Sequence, residues 1–335
     1  MKTVLQKLAE CRDLSRAEMT AMFDRIMDGD VTAAPLGAML MGLRLKGETA
    51  EELAGAAESM RRHAIRVDAG GPSVDTCGTG GDGLHTFNIS TAAAFVTAGA
   101  GVTVAKHGNR AVTSRCGSAD VLAELGVNVE APPEQVEECL RSVGIGFLFA
   151  QRLHPAMKHA AGPRRELGIR TIFNMLGPLT NPAGARGQVL GVFAPELTET
   201  FARVLQTLGC RRAWVVHGSD GMDEITVTGP TRVTQLLDGG LKTFAFEPQR
   251  ALDREPASLA DLAGGDPREN AAIIRGILEG RDQGPRRDVV LLNAAAGIWA
   301  GERADSFPEA LVLARQSLES GRAAGKLDGL IRESR

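Results

Sequence analysis

The residues best suited to chemistry cluster in one stretch. It reads Gly78-Thr-Gly-Gly-Asp-Gly83, then Asn88-Ile-Ser-Thr91, and later Lys106-His-Gly-Asn-Arg110 running on through Ala111, Val112, Thr113, Ser114, Arg115 and Ser118 to Asp120. Glycines let backbone N–H groups approach an anion closely. Small hydroxyls add donors, and a helix beginning at Ser90 or Thr91 would aim its unpaired N–H groups the same way. No acidic residue falls between Asp82 and Asp120, whereas Lys106, Arg110 and Arg115 all do. The chemistry indicated is the holding of a phosphate or pyrophosphate. The competing explanation, that these glycines only form tight turns, is open at this point.

The run Gly78 to Gly83 also matches the G-x-G-x-x-G pattern of dinucleotide folds literally. Such a fold would start its helix directly from the glycines and place an acid on the ribose about twenty residues on. Here the loop continues through Leu84 to Asn88, and the next strand ends on Lys106 and His107. Asp82 would also repel a bare pyrophosphate. No Lys-Ser/Thr follows the last glycine, which removes the Walker A alternative.

A polyanion site of this kind needs a counterpart. Asp223-Glu224 are adjacent carboxylates in a loop after an expected strand. Such a pair can hold magnesium while substrate phosphates complete its shell, although taken alone it reads as a solvated turn. Arg164-Arg165 stand before a glycine, and a guanidinium there could clamp a carboxylate by a two-pronged hydrogen bond. A surface arginine pair on a helix is the plainer alternative.

The elements that must position these groups fall into two textures. Residues 1–67 read as helix only. Ser15/Glu18 and Thr49/Glu52 form capping-box patterns, and apolar residues recur at helical spacing across four short segments. A break at Ala69-Gly-Gly-Pro72 precedes short apolar runs that alternate with helices, which is the pattern of a mainly parallel sheet. The expected fold class is α/β, with a small helical N-terminal domain (1–67, joined by part of 155–182) and a large α/β domain (72–335). Strands are expected at 73–77, 102–105, 127–129, 144–149, 188–193 and 212–216. Helices are expected at 90–99, 119–125, 133–143, 197–208 and 308–322, the last opened by a capping box at Ser306/Glu309.

The composition bounds the rest. The 335 residues are 43% hydrophobic and 24% charged, with net charge −3, 40 glycines and no tyrosine. An acidic, aromatic-poor chain makes a poor nucleic-acid platform. Cys11, Cys77, Cys116, Cys139 and Cys210 have no zinc-like spacing and read as reduced thiols. The N-terminus turns polar by Gln6 and the longest apolar run, 92–105, is too short to span a bilayer. A soluble, cytoplasmic protein with no membrane partner is expected.

Over nearly its whole length the chain resembles the anthranilate phosphoribosyltransferase family. The resemblance is carried by Gly78-Thr-Gly-Gly-Asp82, Asn88-Ile-Ser-Thr91, Lys106-His-Gly-Asn-Arg110, Gly117-Ser-Ala-Asp120, Arg164-Arg-Glu-Leu-Gly168, the run Arg170 to Pro182, and Asp223-Glu224-Ile225. It implies transfer of a 5-phosphoribosyl group from 5-phosphoribosyl 1-diphosphate (PRPP) to anthranilate, in tryptophan biosynthesis. Gly78, Gly81, Asp82, Thr86, Asn88, Ile89, Ser90, Thr91, Lys106, His107, Gly108, Asn109, Arg110, Ala111, Val112, Thr113, Ser114 and Ser118 would line the PRPP site. Ser90, Asp223 and Glu224 would bind Mg2+. Gly78, Asn109 and Arg164 would contact anthranilate, with Arg164 on its carboxylate. No acid or base is implied, although His107 lies close by. The family forms homodimers through its helical lobes. At His85 the chain departs from the family loop, which more often has asparagine. A pyrimidine nucleoside phosphorylase, a nucleic-acid-binding relative and a nicotinamide-dependent enzyme are the rivals. The first would lack Arg164 and the 174–182 run, the second would lose Asp223-Glu224 or Lys106-His-Gly-Asn109 and carry a basic face, and the third is weakened by the loop argument above.

Overall fold

The structure, a computed structural model, describes residues 1–111 and 115–335. Val112, Thr113 and Ser114, expected in the PRPP site, lie outside the described residues. The chain opens with four helices, α1 (Lys2–Ala9), α2 (Arg16–Met27), α3 (Ala33–Lys46) and α4 (Ala50–His63). Both expected capping boxes form, at Ser15/Glu18 and Thr49/Glu52. The Glu52 carboxylate is fully buried, and it accepts from Leu14 N (2.9 Å), Thr49 N (2.8 Å) and Lys46 Nζ (2.9 Å). A buried charge is tolerable when it is satisfied in this way, and it ties the turn before α2 to the turn before α4.

The α/β portion follows as β1 (Val74–Gly78), α5 (Ile89–Gly99), β2 (Val104–Gly108), α6 (Ser118–Leu125), α7 (Pro133–Ser142), β3 (Ile145–Phe149) and α8 (Ala150–Leu153). An irregular helical segment carries α9 (Lys158–Leu167) and α10 (Phe173–Leu176). The chain then returns to the sheet with β4 (Gly187–Gly191), α11 (Leu197–Thr207), β5 (Arg212–Gly218), β6 (Thr231–Leu237) and β7 (Gly240–Phe246). It ends with α12 (Pro248–Leu252), α13 (Pro267–Leu278), α14 (Pro285–Ala300), α15 (Phe307–Glu319) and α16 (Arg322–Glu333).

Among the described residues seven strands form one sheet in the order β3-β2-β1-β4-β5-β6-β7. Pairing is parallel from β3 through β5 and antiparallel from β5 through β7. Side chains alternate across a strand, and the two faces enter different cores. Val189, Trp214 and Val216 pack with α5 and α14, while Leu190, Val192, Ala213 and Val215 pack with α11 and the N-terminal helices. Ala160, Ile172, Phe173, Met175, Leu176 and Leu179 of the 155–182 segment are buried in that second core. The chain leaves β1 toward β2 on one side and later returns to place β4 on the other. The crevice outside the carboxyl ends of β1 and β4 is therefore a topological switch point, where open α/β sheets bind ligands.

Several expectations need correction. The second strand runs from Val104 to Gly108, so Lys106 and His107 lie within the ladder, paired with Phe147 and Leu148 of β3, and not beyond it. No strand forms at 127–129: the Asn128 N–H donates to Ser334 Oγ (3.0 Å), while Val127 and Val129 are buried among helices. The last expected helix stops at Glu319, because Gly321 adopts φ 74° and α16 starts anew. The Ser306 box is only half formed, since Glu309 reaches Asp305 N (3.0 Å) and not its own cap. The β6–β7 hairpin was not expected, although its turn at Asp238-Gly239 (φ 46° and 83°) is the kind that Asp-Gly favours. Among the described residues no helix is long and apolar enough to cross a membrane, and the cysteines form no disulfide.

Candidate active site

The glycine loop leaves β1 at Gly78 and passes Gly80, Gly81 and Gly83 with φ of 67°, 79° and 76°, a region that side chains disfavour. His85 is also left-handed (φ 54°). Asparagine adopts that conformation more readily than histidine, which gives a physical reason for the family's usual residue there. Thr86 bridges Ala263, and α5 begins at Ile89. The Asn88 amide donates to the Cys116 carbonyl (3.2 Å) and accepts from Asn270 (3.0 Å), so it braces the start of α5 between two other segments. Thr91 Oγ1 is buried without a partner among the described residues, an orphaned donor in the first turn of that helix.

The two carboxylates arrive from the loop after β5 and grip the glycine loop at both ends. Asp223 Oδ2 accepts from Gly80 N (2.7 Å), and Glu224 Oε1 accepts from Ser90 N (3.1 Å). Burial, then repulsion from Asp82, pushes the Asp223 carboxyl up to about 7. Burial, then repulsion from Asp223, pushes Glu224 up to about 8. A methyl group on Gly191 would overlap the Asp223 carbonyl oxygen, so only glycine lets β4 pass so close. Behind the pair, Asn293 of α14 clamps the backbone of one residue: its Oδ1 accepts from Ile225 N (3.0 Å) and its Nδ2 donates to Ile225 O (2.9 Å). Among the described residues no three His, Cys, Asp or Glu side chains converge on one point. Two crowded carboxylates with the Ser90 hydroxyl nearby nevertheless form an all-oxygen donor set. That set fits a hard divalent cation that takes its remaining ligands from a substrate.

Lys106 is buried and donates to Thr76 O (2.5 Å) and Ser90 Oγ (3.4 Å). Burial lowers its pKa against the opposing pull of Asp75, Cys77 and Glu224. Asp75, fully buried below it, accepts from His107 N (3.1 Å) and Asn181 Nδ2 (2.8 Å). The His107 ring is occupied on both sides, with Nδ1 3.2 Å from the Gly177 carbonyl and Nε2 3.2 Å from His154 Nε2. Burial and the neighbouring His154 push His107 down to about 3, so it is neutral at physiological pH.

The second loop is drawn in by Asp120, whose Oδ2 accepts from Ala111 N (2.8 Å) and Gly117 N (2.9 Å). Gly108 ends β2 close to Ser118, and Ser118 Oγ donates to Asn109 O (3.3 Å). The Asn109 side chain accepts from Arg110 N (2.8 Å) and Gln151 Nε2 (3.2 Å). Arg110 points outward onto Asp120 and Glu130 (both 3.4 Å). Arg164 stands apart from these loops, on α9, with its guanidinium 5.0 Å above the Phe173 ring. Burial lowers its pKa, and among the described residues no carboxylate pairs with it.

Gly78 to Thr91, Lys106, His107, Asp223 and Glu224 thus meet at the switch point. Among the described residues no hydrogen bond joins Arg164 to the Asn109 loop. Asp75, His154, Gly191 and Asn293 support the site although nothing in their sequence spacing singles them out, and Asn181 joins them from the 170–182 run. Asn293→Ala is expected to cost about 1–3 kcal/mol, because it leaves the buried Ile225 N–H without an acceptor. Chemical denaturation would measure the loss, and activity should fall further than stability because the clamped residue directly follows the Asp223-Glu224 pair.

Comparison with known proteins gives a consistent result. The profile described as "Glycosyl transferase family, a/b domain" matches residues 70–324, and "Glycosyl transferase family, helical bundle domain" matches residues 2–64. A protein named anthranilate phosphoribosyltransferase from Desulfosudis oleivorans is 57% identical, covering 98% of this chain and 96% of its own. One of the same name from Syntrophobacter fumaroxidans is 58% identical, covering 98% and 97%. Among solved structures, the anthranilate phosphoribosyltransferase of Thermus thermophilus superposes with a TM-score of 0.94 at 44% identity, covering 99% of each chain. The Saccharomyces cerevisiae enzyme in complex with PRPP and Mg superposes with a TM-score of 0.89 at 30% identity, covering 99% of this chain and 97% of that one.

Proposed function

The chain belongs to the anthranilate phosphoribosyltransferase family, and from that premise we propose that it transfers the 5-phosphoribosyl group of PRPP to the amine of anthranilate. The products are N-(5-phosphoribosyl)anthranilate and diphosphate, as a step of tryptophan biosynthesis. One observation carries the reading: the two carboxylates of Asp223 and Glu224 hold both ends of a glycine loop that leaves β1 at the switch point of the sheet.

In this reaction the bond from ribose C1 to the diphosphate oxygen breaks, the bond from C1 to the anthranilate nitrogen forms, and that nitrogen then releases a proton. The amine is neutral and a weak nucleophile, so departure of diphosphate runs ahead of attack and leaves a cation-like ribose. The site residues proposed for PRPP are Gly78, Gly81, Asp82, Thr86, the segment from Asn88 to Thr91, the segment from Lys106 to Ser114, and Ser118. Backbone N–H groups of these loops and the Lys106 side chain would stabilise the charge that grows as the bond breaks. Asp223, Glu224 and Ser90 would hold Mg2+, which when bound offsets the charge collecting on the departing diphosphate. Gly78, Asn109 and Arg164 would seat anthranilate, and holding its amine in line with C1 supplies a large part of the acceleration. With both ring nitrogens engaged and a depressed pKa, His107 shapes the wall of the site, and no group is needed as general base.

The domain division proposed is a helical domain of residues 1–67 with part of 155–182, beside an α/β domain of 72–335. A homodimer joined through the helical domain is proposed on the family resemblance, and the strongly exposed Leu45 on α3 supports it. A single-chain mass in light scattering would remove that assignment. A cytoplasmic location without a nucleic-acid partner accords with the net charge of −3. The deciding assay follows anthranilate fluorescence with PRPP and magnesium present. Fluorescence should fall as anthranilate is consumed, and a steady signal at micromolar enzyme would overturn the function.

A further inference from the structure

Arg170 takes no part in the chemistry described so far, yet it touches the part of the site with the least support of its own. Thr79 N donates to Gly191 O (2.9 Å), Gly80 N to Asp223 Oδ2 (2.7 Å), and Leu84 N to Asp82 Oδ1 (3.2 Å). Between these anchors lies the tip, residues 81–83, where two of three residues are left-handed glycines. Among the described residues, the one backbone group of the tip that is bonded from outside the loop is the Gly81 carbonyl, which accepts from the Arg170 guanidinium.

The other side of that guanidinium is also engaged. It lies 4.8 Å from the centroid of the Phe193 ring, and Phe193 N in turn donates to Thr79 Oγ1 (3.2 Å). Arg170 is therefore held by a stacking platform that is itself fixed to the loop's first residues, and a planar guanidinium suits stacking and donation together. Arg170 also follows Gly168, the left-handed cap that ends the helix carrying Arg164, and precedes Thr171 and Ile172, which are buried. It is the point at which the arm bearing the second substrate's partner meets the loop of the first.

We propose that Arg170 is a positioning residue for PRPP: it pins the tip of the glycine loop against the end of β4 and joins that loop to the arm that carries Arg164. The inference rests on assigning the loop to PRPP, as above. In the free protein the tip would otherwise sample many backbone states, and ordering it on binding would cost affinity. Because Arg170 is exposed and belongs to no core, its removal should leave the fold intact.

The test compares wild type, Arg170→Ala, Arg170→Lys and Phe193→Ala. Arg170→Ala should raise the KM for PRPP about tenfold while kcat and the KM for anthranilate stay within about threefold, which is the signature of lost binding without lost chemistry. Lysine keeps a donor for Gly81 but stacks poorly, so its KM should fall between the two, and Phe193→Ala should shift the same KM in the same direction. In the unliganded chain, hydrogen exchange of a peptide spanning 78–86 should be at least threefold faster in Arg170→Ala, with the melting temperature unchanged. An unaltered exchange rate for that peptide, or equal rises in both KM values with a lowered melting temperature, would overturn the proposal. If the wild type transfers nothing from PRPP, the functional reading fails, and the exchange comparison on the unliganded chain still decides whether Arg170 holds the loop.

Discussion

Exchanging Asp223 and Glu224 together for asparagine and glutamine is expected to lower kcat/KM by on the order of a thousandfold, about 4 kcal/mol of transition-state stabilisation. The residual rate should no longer respond to magnesium. The shapes barely change, and the amides' carbonyl oxygens can still accept from Gly80 N and Ser90 N, so the loop stays tethered while the charge disappears. Stability should move the other way. Both carboxyls are held well above their ordinary range near 4, at about 7 and about 8, by burial and by repulsion from neighbouring carboxylates. The folded chain therefore keeps these protons longer than the unfolded chain does. As pH rises from about 4 toward 8, the unfolded state binds fewer protons than the folded one, and the two groups progressively destabilise the fold. In chelator-treated protein, thermal melts at pH 8 should thus show the double variant melting higher than wild type, with the gap narrowing at pH 5. Magnesium should raise the wild-type melting temperature and leave that of the variant unmoved. A variant that keeps the wild-type magnesium response would remove these residues from the metal site.

The second large effect belongs to Arg164. Burial depresses its pKa, it rests on Phe173, and no carboxylate among the described residues balances its charge. A desolvated cation without an anion is costly, and it is retained where an anion arrives from outside. Arg164→Ala should raise the KM for anthranilate by roughly 10- to 100-fold, the worth of a charge-assisted pair. The KM for PRPP should move by less than about threefold, because Arg164 shares no hydrogen bond with the glycine loop. Arg164→Lys should recover little, since a point charge cannot offer two parallel donors to one carboxylate or stack on Phe173. Substrate titrations with each partner saturating in turn would separate the two constants. An unchanged anthranilate KM would take Arg164 out of the site.

Much of this molecule is legible in the order of its residues, wherever the determining interaction is local. The capping boxes at Ser15 and Thr49 formed because each satisfies orphan N–H groups within one turn. The glycine loop could be read as an anion cradle because its conformation depends on its own residue types. The Asp238-Gly239 hairpin is equally local, since its left-handed turn depends on those two residue types. Where a partner lies far along the chain, sequence was a poor guide. Val127 to Val129 have the composition of a strand, but the Asn128 N–H is taken by Ser334 at the other end of the chain.

Residue types in the chain were enough to nominate the groups of the candidate site: glycines and hydroxyls for an anion, two adjacent carboxylates, a lysine and an arginine, because residue type alone sets what each can bind. Only the tertiary structure decided how they act together. The sheet order places β4 beside β1 and β5 beside β4, which carries Asp223 and Glu224 onto both ends of a loop more than a hundred residues away in sequence. The same order sinks Lys106 and His107 into the ladder, where burial pulls both pKa values down. Long-range pairing and desolvation are properties of the packed chain, and no local pattern encodes them.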